Sequence, residues 1–241
     1  MTTTAESPLE ALKRGSRGLR GTLVEELASP GPGFSPDAQQ LIKLHGLYQQ
    51  KDRDRRGDPL NPPALMLRGR IPGGRLSAAQ YLAWDELAGR YGDGSLRLTT
   101  RQSVELHGVL KGDLKAALTE LHRAVQTTKG ACGDVVRTVT QAPNPWGRAD
   151  LARLDAVADT LSAHFAARSN AYTEVWLDGE RVDPETEAEP LLGAAYLPRK
   201  FKIAVTAAGD NLVDLYTNDL GFAATFDADG LLEGCFVFAG G

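Results

Sequence analysis

Four short patches of cationic side chains stand out in a chain of 241 residues whose formal net charge is −4. They are Arg68, Arg70 and Arg75; Arg97 and Arg101; Arg137; and Arg199, Lys200 and Lys202. The first and last lie in stretches free of acids, since no Asp or Glu occurs from Leu60 to Trp84 or from Pro190 to Gly209. Each patch falls in or beside a stretch that reads as a strand, where alternate residues face one side. Arg68 and Arg70 are therefore expected to share a face, as are Arg97 and Arg101, and Lys200 and Lys202. Strands that converge would line a cavity with guanidinium and ammonium groups. Unpaired cations are costly to bury, so such a cavity calls for a multiply charged anion held by charge-assisted hydrogen bonds. For any single arginine a solvated strand face or a distant acid is the simpler explanation, but four patches of this regularity favour an anion site. Nucleic-acid phosphate is a rival ligand, with Tyr196 and Phe201 available to stack on bases. The negative net charge and the lack of any nucleic-acid-binding signature speak against it.

Other chemistry is sparse. No Walker loop, GxGxxG, HExxH or GxSxG occurs. Cys132 and Cys235, the two cysteines, are far apart and form neither a disulfide framework nor a four-thiolate metal site, so reduced, packed thiols are expected. Of the four histidines, His45 and His107 both occur as Leu-His-Gly, while His122 and His164 fall in helical patterns and read as packed or surface residues. A hydrophobic fraction of 42% permits a sizeable core in one large domain or two modest ones. The first residues contain no apolar run of signal-peptide length, Glu6 and Glu10 argue against a transit peptide, and no stretch approaches the ~18 apolar residues of a membrane span. These features predict a cytoplasmic protein with no nucleic-acid or membrane partner.

The elements that must hold the cations follow from periodicity. Residues 1–63 read as an arm, broken by Ser29-Pro30-Gly31-Pro32-Gly33 and by the charge run Lys51 to Arg56, that must pack on something else. Ala64 to Ile71 reads as a strand and Ser77 to Arg90 as a helix, with Ser77 and Gln80 as its capping box and Leu76 and Tyr81 as a hydrophobic staple. Leu96 to Val109 reads as one long strand. A second helix, capped by Asp113, would bury Leu114, Ala117, Leu118, Leu121 and Val125. Strand, helix, strand, helix over residues 64–129 suggests a ferredoxin-like half-unit whose missing strands come from later in the chain or from a partner. From residue 130 to 241 the pattern is mixed: an extended piece Val135 to Val139, a helix Ala149 to Arg168, then strands at Tyr172 to Leu177, Lys200 to Ala207, Leu212 to Tyr216, Phe222 to Phe226 and Leu231 to Phe238. Asp178-Gly179 and Asp229-Gly230 supply turns. The fold class expected is α+β, a ferredoxin-like half-unit followed by a mixed α/β domain.

The wording of the patches carries more than their charge. Leu67-Arg68-Gly69-Arg70-Ile71-Pro72-Gly73-Gly74, Leu96 to Gln102, Leu106-His107-Gly108, Gly133 to Arg137 and Tyr196 to Lys202 resemble the sirohaem-dependent nitrite and sulfite reductase family. So do Leu44 to Gln50, Glu174 to Gly179 and Thr217-Asn218-Asp219, in the family's order. The resemblance is greatest to the amino-terminal half of its sulfite-reducing members. It implies half of a pseudo-twofold enzyme in which residues 130–241 form the first sirohaem-binding domain, truncated at its end. It implies six-electron reduction of sulfite to sulfide at sirohaem coupled to a four-iron four-sulfur cluster, with a ferredoxin or a flavoprotein subunit as electron donor. By position, Arg97, Arg101, His107 and Asn218 resemble the sirohaem contacts. Arg68, Arg137, Lys200 and Lys202 resemble the four basic side chains that bind sulfite and deliver protons.

The resemblance also sets limits. The family's cluster thiolates lie in its carboxy-terminal half, and neither Cys132 nor Cys235 matches one, so the chain is expected to be incomplete, inactive alone and open to a separate carboxy-terminal half as partner. Glu105 stands where family members often carry glutamine, and Thr138 where asparagine is common. Lys202, where nitrite-reducing members typically carry asparagine, favours sulfite, a dianion, over nitrite. The alternatives are a nitrite reductase, or a non-catalytic half-chain that binds a tetrapyrrole or another polyanion.

Overall fold

In the computed structural model, residues 6–52, 54–55, 58, 61–168, 175–177, 180–182, 189 and 191–240 are described. The arm forms three short helices, α1 (Pro8–Gly15), α2 (Leu23–Ala28) and α3 (Pro36–Leu41), then strand β1 (Leu47–Gln50). Next come β2 (Ala64–Arg68), α4 (Ala78–Tyr91), β3 (Leu96–Leu98), β4 (Val104–Val109) and α5 (Leu114–Arg123). The remainder comprises β5 (Thr140–Gln141), α6 (Ala149–His164), β6 (Val175–Leu177), β7 (Glu180–Val182), β8 (Ile203–Ala207), β9 (Leu220–Phe226) and β10 (Leu232–Ala239). The turn expected at Asp178-Gly179, the start of the strand expected at Tyr172 and part of the charge run at 51–56 lie outside the described residues. No helix among the described residues is long and apolar enough to cross a membrane.

Strands β1, β2, β4 and β3 form an antiparallel sheet in that order. The strand that the half-unit lacked therefore comes from the arm, earlier in the chain. Leu67, Leu106 and Leu96 lie side by side across three strands. They join Trp84 and Leu87 of α4 and Leu114, Ala117 and Leu121 of α5 in one core. Helix α4 starts where expected because Ser77 and Gln80 exchange the two hydrogen bonds of a capping box. Val125 departs from its expected place: the chain has left α5 there, and the side chain is exposed.

The stretch Leu96 to Val109 is two strands, not one. Between them the chain turns back on itself through Thr99 to Ser103, with Thr99 N–H donating to the Ser103 carbonyl at 2.9 Å and Gln102 at a positive φ of 54°. The Thr99 hydroxyl accepts from the N–H groups of Arg101 and Ser103 and tightens the turn. Threonine and arginine are compatible with either a strand or a turn, so the sequence did not mark the break.

The second sheet has the order β10-β9-β8-β5, parallel across β5, β8 and β9 and antiparallel at β10. Helix α6 covers it through Leu151, Leu154 and Ala158 against Ile203 and Val205. It stops at His164, where Arg70 donates to the Ser162 carbonyl at 2.7 Å and supplies a cation to the last turn. The strand expected over Leu212 to Tyr216 is instead a loop and a short 3-10 turn, Leu215–Thr217, entered through Asp214 in the left-handed region.

Candidate functional site: a cationic cluster on the open sheet face

One face of the first sheet is covered by α4 and α5, and the candidate residues occupy the other. Pairing sets Arg97 opposite Glu105 and Glu105 opposite Arg68, so the three stand in one row on one face. His107, two residues beyond Glu105, shares that face. The Glu105 carboxylate accepts from Arg68 Nε at 2.7 Å and from Arg68 Nη2, and meets His107 Nε2 at 3.3 Å. Burial alone would push the Glu105 carboxyl up, but the bonds and charge of Arg68, with His107 adding to them, hold it below the ordinary glutamate value. Glu105 thus fixes Arg68 and His107 together.

The free end of Arg68 turns to a second group. Its Nη1 donates to the Cys132 sulfur at 3.1 Å, and the Tyr48 hydroxyl also bonds that thiol. Arg137, buried, is close enough to act on both. Its Nε donates to the Ala131 carbonyl at 2.8 Å, while its two terminal nitrogens make no hydrogen bond to a described residue. Burial pushes the Cys132 thiol up, against the pull of Arg137 and Arg68, so it stays protonated at neutral pH. Tyr48 and Cys132 were not singled out as functional from the sequence. Their one signal was position: Tyr48 within the Leu44 to Gln50 motif, Cys132 just ahead of Arg137.

Arg101, at the tip of the turn between β3 and β4, bridges the two sheets. Its Nη1 donates to Asn218 Oδ1 at 2.8 Å, and its Nη2 donates to the carbonyls of Thr138 and Ile203 at 2.8 and 2.9 Å. Burial, with the neighbouring charge of Arg137, brings its guanidinium pKa down to about 10. Asn218 is fixed from the other side, donating to the Asp214 carbonyl at 3.0 Å. Asp219 faces Arg101 and also pairs with Lys202, accepting from its backbone N–H at 2.8 Å with the ammonium at 3.3 Å. Arg68, Arg137, Arg101, His107, Asn218 and Lys202 are thereby linked through shared neighbours.

The remaining candidates stand apart. Arg97 is on the row but exposed, with the Asp93 carboxylate 4.0 Å away. Lys200 is exposed and lines a separate cavity with Tyr48. Arg70 does not share the face of Arg68, because β2 ends at Arg68; its guanidinium is buried against Ser162 and the carbonyls of Gly130 and Val136. The expectation of cations without acids fails as well. Arg68 pairs with Glu105, Lys202 with Asp219, and Arg75 with Asp155 and Asp159, all partners outside the acid-free stretches. The two Leu-His-Gly motifs do different work. His107 is on the open face, whereas His45 is buried in the core ahead of Gly46, whose φ of 75° and 2.2 Å clearance to the Thr128 carbonyl admit no side chain.

Two polar atoms in this region are buried without a hydrogen-bond partner among the described residues, Arg101 Nε and Thr138 Oγ1. With the uncommitted nitrogens of Arg137 they leave donors for an added acceptor, which fits a polycarboxylate such as sirohaem. A four-iron cluster does not fit: Cys132 is engaged by Arg68 and Tyr48, Cys235 is exposed on β10, and the described residues contain no group of metal ligands.

Comparison with known proteins bears on the same segments. Residues 59–124 match the nitrite/sulfite reductase ferredoxin-like half domain, and residues 156–241 match the nitrite and sulphite reductase 4Fe-4S domain. The chain is 44% identical over 244 residues to the sulfite reductase (NADPH) hemoprotein beta-component of Paenibacillus sp. (strain JDR-2), covering 98% of this chain and 42% of that protein. It is 46% identical over 240 residues to the protein of that name from Xanthomonas campestris pv. campestris, covering 97% and 42%. The chain thus spans about 42% of the length of the curated relatives it matches. Its fold is similar to that of the Mycobacterium tuberculosis NirA protein, with a TM-score of 0.68, 20% identity and coverage of 94% of this chain and 39% of that one.

Proposed function

Because the chain belongs to the nitrite and sulfite reductase family, we propose that it is the amino-terminal portion of a sulfite reductase haemoprotein, an oxidoreductase that takes sulfite to sulfide. The observation that carries this reading is the convergence of Arg68 and Arg137 at Cys132, on an open sheet face bounded by Arg101, His107 and Asn218. Sirohaem, when bound with its electron-supplying cluster, provides the redox chemistry. Arg97, Arg101, His107 and Asn218 would hold it, Arg101 chiefly by fixing the turn that forms one wall. The cluster thiolates would come from outside this chain.

The side chains of this chain bind and protonate. Arg68, pinned by Glu105, and Arg137, with both terminal nitrogens uncommitted, present two fixed guanidiniums to a sulfite oxyanion; fixed donors cost no reorganisation as charge develops. Lys202, held by Asp219, keeps a proton at Nζ for an oxygen that leaves as water, and Lys200 supplies a second ammonium. Asp219 offsets part of the Lys202 charge, so the preference for sulfite over nitrite rests mainly on the likeness to sulfite reductase haemoproteins and on Arg68 with Arg137. The beta-component and NADPH of those relatives' names favour a separate flavoprotein subunit as electron donor, with ferredoxin the other choice, and we place the reaction in the cytoplasm. We retain the division into an arm 1–63, a half-domain 64–129 and a sirohaem-binding domain 130–241, with β1 of the arm completing the first sheet.

The test is a chimera in which this chain replaces the aligned segment of the Paenibacillus relative. Sirohaem-loaded chimera is expected to reduce sulfite with a reduced dye as donor, faster than it reduces nitrite. A chimera that loads sirohaem but reduces neither anion, or prefers nitrite, would overturn the reading.

A further inference from the structure

Arg70 follows Arg68 by two residues, yet its guanidinium is buried away from the cationic face. No carboxylate among the described residues offsets it. Burial pushes its pKa down to about 10, so it remains charged at neutral pH. Its hydrogen bonds reach three separate parts of the chain. Nη1 donates to the carbonyls of Gly130 and Val136 at 3.2 and 3.3 Å, which are the two ends of the loop 130–136. Nε and Nη2 donate to the hydroxyl and the carbonyl of Ser162, in the last turn of α6, at 3.2 and 2.7 Å. The backbone N–H of Arg70 donates to the Thr127 carbonyl at 2.8 Å, just ahead of the loop.

We propose that Arg70 is a positioning residue for the cationic site: it clasps the loop 130–136 shut and so sets where Cys132 and Arg137 stand relative to Arg68. One nitrogen holds both ends of the loop, and among the described residues nothing else donates to either carbonyl. The start of the loop is built around that nitrogen. Gly130 has a φ of 73°, and a Cβ there would lie 2.2 Å from Arg70 Nη1. What the loop carries gives the clasp its consequence. Cys132 accepts from Arg68 Nη1 at 3.1 Å, and Arg137, next after Val136, folds back to donate to the Ala131 carbonyl at 2.8 Å. Arg68 and Arg70 therefore hold one loop at two points, at its sulfur and at its ends, and an opening of either end moves Arg137 against Arg68. An apolar side chain could fill the same space without burying a charge, whereas only a guanidinium fork meets four acceptors at once. That Arg137 meets sulfite rests on the function proposed above; the clasp itself does not.

The clasp is tested on the 241-residue chain in a Cys235→Ser background, where N-ethylmaleimide can react only at Cys132. Labelling is timed without urea and at several concentrations below the unfolding transition. Arg70→Lys keeps the charge but cannot span both carbonyls and Ser162. It loses at least two charge-assisted bonds, each worth roughly a factor of ten, so Cys132 should label about 100-fold faster. A local opening exposes little surface, so this rate should scarcely depend on urea, unlike global unfolding followed by circular dichroism. Unchanged labelling, or an acceleration whose urea dependence matches global unfolding, would overturn the proposal. If Arg70→Lys does not fold, Ser162→Ala, which removes only the acceptor of Nε, is read the same way, with labelling about tenfold faster. In the sirohaem-loaded chimera, Arg70→Lys should raise the sulfite KM about tenfold. A fall in turnover with KM unchanged would mean only less folded enzyme and would count against positioning. A parent chimera that reduces neither anion would overturn the function proposed above and leave the clasp to be decided by the labelling.

Discussion

Arg97 and Arg101 read as a pair in the sequence, and the fold gives them opposite tasks that a stability measurement can separate. Arg101 makes three hydrogen bonds across the two sheets, at 2.8, 2.8 and 2.9 Å, and two of their acceptors are main-chain carbonyls. Arg101→Ala strands Asn218 Oδ1 and both carbonyls. A buried acceptor left unpaired costs ~1–3 kcal/mol, water fills part of the gap at a half-buried site, and relief from burying the guanidinium offsets part of the rest. The expected loss is about 2–4 kcal/mol, a large share of the ~5–15 kcal/mol that holds a typical protein together. With a urea slope of about 2 kcal/mol/M, the unfolding midpoint should fall by roughly 1–2 M. Arg97→Ala, an exposed residue 4.0 Å from its carboxylate, should change stability by under ~0.5 kcal/mol. Urea unfolding followed by circular dichroism gives both numbers. If the two variants unfold at the same midpoint, Arg101 does not join the sheets.

Three further outcomes follow from the same contacts. Cys235, exposed, should react with a thiol reagent within the mixing period, while Cys132, buried and kept protonated, should wait for unfolding; equal rates would contradict the Tyr48–Cys132–Arg68 arrangement. His45, whose burial lowers its pKa from 6.5 to about 3, is held neutral in the fold, so its stabilisation is complete above pH 6.5 and drains away as the pH falls towards 3. Between about pH 7 and about pH 5 this amounts to about 2 kcal/mol of stability that a His45→Gln variant should not lose, and parallel pH profiles for the two proteins would refute it. In the chimera, Lys202→Asn should lower sulfite turnover per sirohaem by ~100-fold with sirohaem content kept, whereas unchanged turnover per sirohaem would remove Lys202 from the substrate site.

The elements best read from the sequence were those with their own local signals. Helix α4 carries a capping box at Ser77 and Gln80, and β9 and β10 flank a turn at Asp229-Gly230, with Gly230 at a φ of 72°. The misread elements were those decided elsewhere in the chain. The turn at Thr99 to Ser103 depends on a threonine hydroxyl closing on two backbone N–H groups, a bond that leaves no periodicity behind. The strand β1 could not be assigned to the first sheet from within residues 64–129, because its partner is set by a register between Leu47 and Leu67, twenty residues apart in the chain. The stretch Leu212 to Tyr216 looks like a strand, but its hydrogen bonds run to Asp210 and Asn211 nearby.

The site was legible as a set of cations and illegible as a set of pairs. Acid-free stretches around Arg68 and Lys202 suggested uncompensated charge, yet sequence neighbours are not the neighbours that matter on a sheet. Glu105 lies 37 residues from Arg68 and directly opposite it across two strands, and Asp219 meets Lys202 from the next strand over. Pairing of this kind does not cancel an anion site; it orients one. A guanidinium held at one edge by a carboxylate keeps its remaining donors in a fixed direction, and Arg68 directs them at the sulfur shared with Tyr48 and Arg137. The charge that remains to attract an oxyanion then resides at Arg137, whose terminal nitrogens no described residue takes up.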